Sequence, residues 1–171
     1  MSTEQAENTA VSKFGAVGKL DDGRTFVQFE RHLAHSVEKV WLAITDPEQL
    51  ARWFPGIELE REQGGSFNIW FGGECEGPAH VSGTVTEFDP PRLLQCGSMR
   101  WELTSAGSGC VLRFSDILHF EGPRSEAELT NSVLGGWHHY LDRLEGALDG
   151  VYVDPEQPEV DYSKVEVSGR D

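Results

Sequence analysis

The feature that most constrains the fold of this chain is a long apolar stripe near its C-terminal end. The stripe follows a capping box formed by Ser125 and Glu128. Its members recur every three or four residues and are Leu129, Val133, Trp137, Leu141, Leu144 and Leu148. This spacing predicts one long helix with a single apolar face, which Gly150 ends. Such a face has to be buried against a second layer of structure.

The residues before this helix follow a different period. Along residues 57–120, apolar and polar residues alternate in short segments separated by turn residues, which predicts an antiparallel meander. A further strand is predicted over residues 25–33. Two short helices follow it, one capped by Ser36 and the next restarted by Asp46 and Pro47. This order predicts an α+β fold in which a curved antiparallel sheet of about seven strands carries the long helix across its concave face.

The two ends of the chain differ in composition from this body. Residues 1–23 are polar and show no periodicity, so we predict a flexible N-terminal arm. Residues 151–171 carry six acidic against two basic side chains and few large apolar ones, which predicts an acidic, disordered tail. The folded domain is therefore expected at residues 24–150.

Charge and cysteine usage exclude several classes of protein. The chain has 14 Lys and Arg against 29 Asp and Glu, and its net charge of −15 repels the phosphates of nucleic acids. It contains no run of about 18 apolar residues that would span a membrane, and its N-terminus lacks the pattern of a secretory signal. Its three cysteines, Cys75, Cys96 and Cys110, have unrelated spacings. They are expected to be free thiols in a reducing compartment, so we predict a cytoplasmic protein.

Several groups of residues occur in an order typical of one family. They are Arg31, Val40-Trp41, Thr45-Asp46-Pro47, Trp53-Phe54, the segment 83–92 and Gly135-Gly136-Trp137. Over about residues 24–150 the chain resembles the activator of heat-shock protein 90 ATPase homologue-like family, within the START and birch-pollen-allergen (SRPBCC) superfamily. The resemblance implies a helix-grip fold that encloses a cavity between helix and sheet, which different members use for different ligands. It also implies a chaperone-binding, stress-response role as an alternative.

The aromatic residues are the candidate walls of such a cavity. The chain has five tryptophans, and ligand sites are mostly apolar with a few polar groups. We predict a site for a small hydrophobic ligand lined by Trp53, Phe54, Trp70, Trp101, Leu118, Trp137 and Leu141. Trp70 and Trp101 are expected to face away from the main apolar sets of their strands, so that they line the cavity or are exposed. Ordinary core packing is the alternative for the remaining rings.

No motif for catalysis, a cofactor or a metal ion stands out. The chain lacks a nucleophile elbow, a phosphate-binding loop and a zinc-protease motif, so no catalytic residue, cofactor or metal is assigned. Adjacent His138 and His139 cannot chelate one ion together and are expected to face solvent. Asp116 and His119 are three residues apart on the last strand, so at most one is expected to enter the cavity. A polyketide cyclase-like enzyme that uses the one of these two side chains that enters the cavity is a further alternative, although no sequence motif favours it.

Two adjacent glycines interrupt the predicted long helix. Gly135 and Gly136 each cost about 1 kcal/mol relative to alanine in a helix interior. A bend or close packing against the sheet is the favoured explanation, and an opening that admits ligand is the alternative.

Overall fold

The computed structural model describes residues 15–70, 79, 81–120, 122–123 and 125–150, together with the backbone of 166–167. The strands in these ranges are β1 (Ala16–Lys19), β2 (Thr25–Leu33), β3 (Ile57–Leu59), β4 (Ser66–Ile69), β5 (Val81–Asp89), β6 (Leu93–Cys96), β7 (Met99–Ala106), β8 (Gly109–Ile117) and β9 (Glu166–Val167). The helices are α1 (Val37–Thr45), α2 (Pro47–Trp53) and α3 (Glu126–Leu148). The predicted α+β class, the two short helices after the strand at 25–33 and the long C-terminal helix are confirmed.

The strands form one curved sheet in the order β3-β4-β5-β6-β7-β8-β2-β1-β9. Consecutive strands from β3 to β8 pair as antiparallel neighbours, as expected for a meander. Strand β2 then pairs with β8 along almost its whole length. The first and last predicted strands of the body therefore lie side by side in the centre of the sheet, and both can contribute to a site under α3.

Helix caps fix the start of each helix as the sequence predicts. The Ser36 side chain accepts a hydrogen bond from the backbone of α1, and that of Asp46 does the same for α2. In α3, Ser125 and Glu128 form both hydrogen bonds of a capping box. These caps satisfy backbone N–H groups that have no partner within their helices.

The sheet has two more strands than the predicted seven or so. Strand β1 lies within the segment predicted as an arm, where it pairs antiparallel with β2 and buries Ala16 and Val17. Strand β9 pairs with β1 in parallel, within the segment predicted as a tail. Strand β1 escapes prediction because its four residues include Ala and Gly, which have low strand propensity, and its burial depends on a neighbour. The rest of the predicted arm and tail, residues 1–14 and most of 151–171, lies outside the described residues.

Trp101 corrects one expectation about side-chain direction. Its side chain is buried, and it shares the inward face of β7 with Met99 and Leu103. The expectation that it faces away from the apolar set of its strand is wrong, because residues two apart on a strand lie on the same face. Trp70 is half-buried. It comes one residue after Ile69, so in the alternation of the segment it belongs to the face opposite Phe67 and Ile69, as expected.

Candidate ligand-binding site

An open cavity with a volume of about 410 Å³ lies between the end of β8 and the first half of α3. Most of its walls are apolar or aromatic: Val81, Ile117, Leu118, Phe120, Leu129, Val133, Gly136, Trp137 and Tyr140. Its polar walls are Ser98, Asp116, His119 and Ser132. A mostly apolar cavity of this size with a few polar groups is typical of small-molecule sites.

The cavity exists because the sheet covers only part of the apolar stripe on α3. Trp137 and the later members of the stripe are buried. Leu129 and Val133, in the first turns of the helix, remain partly exposed and line the cavity instead. On the opposite side, β8 ends at Ile117, and Leu118 continues the cavity wall beyond the strand. The backbone N–H of Leu118 donates a hydrogen bond of 2.9 Å to the backbone carbonyl of Thr25. The start of α3 and the end of β8 therefore leave apolar surface facing a shared space.

Gly136 contributes to the width of the cavity. Apart from its own helix backbone and chain neighbours, a Cβ atom built at this position would have no atom of the described residues within 4 Å, so close packing against the described part of the sheet does not explain this glycine. The residue is exposed and lies in the cavity wall. At Gly136, the structure thus favours the alternative in which the missing side chain leaves room for a ligand.

Asp116 places a carboxylate at the base of the cavity. The inward positions before it on β8 hold the buried residues Cys110, Leu112 and Phe114. Asp116 Oδ1 accepts a hydrogen bond from Ser98 Oγ at 2.6 Å, and Oδ2 accepts one from Trp137 Nε1 at 3.1 Å. Burial raises the pKa of the Asp116 carboxyl, although these two hydrogen bonds and the nearby His119 oppose the shift.

His119 lies in the wall of the same cavity as Asp116. The expectation that at most one of the two would enter the cavity is therefore wrong. The alternation of a strand separates residues three apart, but β8 ends at Ile117 and His119 lies beyond it. The cavity wall consequently holds a carboxyl group and an imidazole together.

Deeper between the helices and the sheet, the space is filled by aromatic rings. Phe54 stacks on Tyr140 with ring centroids 4.2 Å apart, and Phe114 lies 4.3 Å from both Trp101 and Trp137. An inner void of only about 10 Å³ remains in this region. This volume is at the lower limit for a single water molecule, so the ring cluster is packed core.

The seven predicted wall residues fall into different environments. Leu118 and Trp137 line the open cavity. Trp53, Phe54 and Trp101, again with Trp137, line the inner void. Leu141 is fully buried, and Trp70 lines neither space.

Sequence reasoning did not assign Phe120 or Tyr140 to a site. It considered Asp116 and Gly136 only within alternatives, Asp116 as one of two candidate cavity residues of an enzyme and Gly136 as part of an opening that admits ligand. One signal was available for Asp116. It interrupts the inward-facing series at positions 110, 112 and 114 with a charged side chain.

A second polar cluster attaches the other half of α3 to the sheet. Arg31, on the inward face of β2, is only 2% exposed. Its Nη1 atom donates hydrogen bonds to Asp142 at 3.0 Å and to Glu145 at 2.7 Å. We refer to Arg31, His138, Asp142 and Glu145 as the Arg31 cluster. Because it joins β2 to the second half of α3, it holds the helix that roofs the cavity.

His138 belongs to the Arg31 cluster and is buried, so the expectation that it faces solvent is wrong. Its Nδ1 atom lies 3.3 Å from Arg31 Nη2, and its Nε2 atom lies 3.2 Å from Asp142 Oδ2. A guanidinium group can only donate, so Nδ1 accepts and Nε2 carries the hydrogen. Burial opposes ionisation of Asp142, but the hydrogen bond from His138 and the charge of Arg31 lower the pKa of this carboxyl.

The cysteines and other groups point to no further site. Cys96 and Cys110 are buried free thiols, and burial raises the pKa of Cys96 to about 12, while Cys75 lies outside the described residues. Within the described ranges, no cluster of three or more His, Cys, Asp or Glu side chains could hold a metal ion. No helix in these ranges is long and apolar enough to cross a membrane.

A curved sheet that packs against a long C-terminal helix, with a cavity between them, defines a helix-grip protein. The family model described as "Activator of Hsp90 ATPase homolog 1-like protein" matches residues 34–149, well over half of the chain. The chain therefore belongs to this family, as the resemblance in its sequence implied. A comparison with curated proteins finds no significant match.

Solved structures show the same fold. CalU16 from Micromonospora echinospora is 25% identical with a TM-score of 0.59, and the match covers 78% of this chain and 84% of that one. The protein encoded by BPP1335 of Bordetella parapertussis is 27% identical with a TM-score of 0.56, covering 76% and 78%. EF2215 of Enterococcus faecalis is 18% identical, with a TM-score of 0.64 and coverage of 88% and 84%, and its likeness concerns the fold alone.

Proposed function

We propose that this protein binds a small, largely apolar molecule in the open cavity between β8 and α3. The observation that carries the proposal is the contrast between this cavity of about 410 Å³ and the filled interior beside it. Aromatic rings fill the interior, while Leu129 and Val133 in the wall of the open cavity remain partly exposed among the described residues. An apolar ligand would remove these walls from water.

The expected affinity follows from the area that a ligand can bury. Burial of about 250 Å² of apolar surface contributes about 6 kcal/mol at about 25 cal/mol per Å². Association itself costs free energy, so only part of this contribution is expressed as affinity. We therefore expect a dissociation constant of about 0.1–1 mM for a simple apolar probe.

The test is a fluorescence titration with N-phenyl-1-naphthylamine, a neutral dye that emits strongly in apolar surroundings. We compare the wild-type protein with Gly136→Phe and Gly136→Ala. Outside its own helix, a Cβ atom at this position has no atom of the described residues within 4 Å, so both variants are expected to fold. The Phe ring is expected to occupy the cavity, whereas the single methyl group leaves it open.

The proposal predicts saturable binding to the wild type and to Gly136→Ala, and at least about tenfold weaker binding to Gly136→Phe. Circular dichroism confirms the fold of each variant. Equal binding to all three proteins would place the dye elsewhere and contradict the proposal, as would the absence of binding to the wild type.

Two other functions stay as predictions. The family description names an activator of Hsp90 ATPase, so chaperone binding remains an alternative. With a net charge of −15, such binding should weaken as salt is added, which a pull-down at low and high salt would measure.

A polyketide cyclase-like activity is the other alternative, favoured by Asp116 and His119 in one cavity. It predicts that Asp116→Asn stops conversion of a bound substrate while binding persists.

A further inference from the structure

We infer that the molecule bound in the open cavity carries a cationic amine, which pairs with the carboxylate of Asp116. This inference rests on the proposed function and adds the chemical class of the ligand. It starts from the partners of one side chain. Asp116 accepts hydrogen bonds from Ser98 and Trp137, and both donors are neutral groups.

The carboxylate of Asp116 has unused capacity. An ionised carboxylate has about four acceptor sites, and the two hydrogen bonds use two of them. Among the residues that the structure describes, no Lys, Arg or His nitrogen forms an ion pair with Asp116. Carboxylates removed from water are normally paired with a positive charge, because desolvation disfavours an isolated one. The charge of nearby His119 acts on Asp116, but the described residues form no direct ion pair with the carboxylate, so we assign that direct partner to the ligand.

The surroundings of Asp116 favour an ammonium group on an apolar body. Trp137, Tyr140 and Phe120 lie in the same cavity wall, and aromatic faces attract cations. The net charge of −15 also raises the concentration of cations near the protein surface. A carboxylate beside aromatic rings thus recognises both the charge and the apolar part of such a ligand.

The opposite choice, an acidic ligand, has weaker support. A neighbouring depression, which shares Leu118, His119 and Phe120 with the cavity, also contains Lys19 and Arg24. The same depression also contains Asp22 and Glu126, so its lining has mixed charge. Arg24 pairs with Asp22 at 2.9 Å, and Lys19 donates a hydrogen bond of 2.7 Å to Thr25.

The experiment compares three probes that share one apolar body and differ in charge: 4-phenylbutylamine, 4-phenylbutan-1-ol and 4-phenylbutyrate. Isothermal titration calorimetry at pH 7.5 measures their binding to the wild type and to Asp116→Asn. The matched control is Glu102→Gln, which removes one negative charge on β7 outside the cavity wall. Glu102 pairs with Arg100 and is about two-fifths exposed.

We expect the wild type to bind the amine about tenfold more tightly than the alcohol. In Asp116→Asn this preference of the amine over the alcohol should fall to about twofold or less. Glu102→Gln should keep the full preference for the amine over the alcohol. This variant loses one negative charge, as Asp116→Asn does, but it leaves the carboxylate in the cavity in place.

The outcomes separate this inference from the proposed function. If the alcohol binds as tightly as the amine, or the butyrate binds best, the amine inference is wrong and the cavity still binds ligands. A preference that survives Asp116→Asn also overturns the inference. If none of the three probes binds and the dye titration fails as well, the proposed function itself is wrong.

Discussion

Asp116 occupies a position where its carboxyl group is costly to ionise. It is on the inward face of β8, after three buried residues of that face, and its pKa is raised because burial disfavours the charged form. A residue that lowers stability in the pH range where it is ionised is more readily understood as part of a site than as part of the core. The two hydrogen bonds from Ser98 and Trp137 hold it in a fixed orientation.

At this scale, the first prediction concerns Asp116→Asn and pH. A carboxyl whose pKa is higher in the folded than in the unfolded state stabilises the fold most below the unfolded value of about 3.9. That contribution is lost as the pH rises through the folded pKa. An amide does not ionise, and it can accept from Trp137 while donating to Ser98. We therefore expect Asp116→Asn to have the higher urea midpoint at pH 7.

The same denaturation series, repeated from pH 7 down to pH 3, checks the sign. The difference between the two proteins should shrink as the pH falls, because the Asp116 carboxyl becomes neutral in both states. A variant that is less stable than the wild type at pH 7, by a margin that decreases toward acid, would show that the ionised carboxylate stabilises the fold instead.

At the scale of elements, the two halves of α3 have different roles. The second half is fixed to the sheet by Leu141, Leu144 and Leu148 and by the Arg31 cluster. In the first half, Leu129 and Val133 line the cavity and remain partly exposed. The helix is thus anchored at one end and forms a cavity wall at the other.

Gly136→Ala tests whether this glycine serves the cavity or the helix. Alanine favours a helix interior over glycine by about 1 kcal/mol, and outside this helix the added methyl group has no atom within 4 Å in the part of the chain that the structure describes. We expect the variant to raise the free energy of unfolding by about 0.5–1 kcal/mol. Urea unfolding measures this change. A loss of stability of similar size would indicate that the helix needs glycine here for its backbone conformation.

The sequence predicted the features that depend on neighbouring residues better than those that depend on residues far apart in the chain. The stripe of α3 and the alternation in β2 were predictable because burial of one face imposes a period on neighbouring residues. The burial of His138 was not predictable, because its partner Arg31 is 107 residues away in the sequence. Arg31 also occupies an inward-facing position of β2, where an apolar side chain would be expected. The predicted cavity was located only in part: Leu118 and Trp137 line it, but its position depends on where β8 and the sheet stop covering α3.

At the scale of the whole molecule, Trp137 connects the core with the cavity. Its ring contacts Phe114 and Trp101 in the packed interior, while its indole N–H donates to Asp116 at the base of the cavity. A ligand in the cavity would therefore contact a side chain that the core holds rigidly. Binding to the folded state alone would also stabilise the whole protein by mass action.

The indole N–H of Trp137 gives the most direct test of the central claim that the open cavity binds an apolar molecule. We would titrate ¹⁵N-labelled protein with 4-phenylbutan-1-ol and follow the tryptophan indole signals by NMR, with Trp137→Phe to assign the signal. Trp41 serves as the internal control, because it packs against Phe88 and lines neither the cavity nor the inner void. The account predicts a saturable shift of the Trp137 signal while that of Trp41 stays in place. A Trp137 signal that does not move, or that moves together with that of Trp41 without saturation, would contradict it.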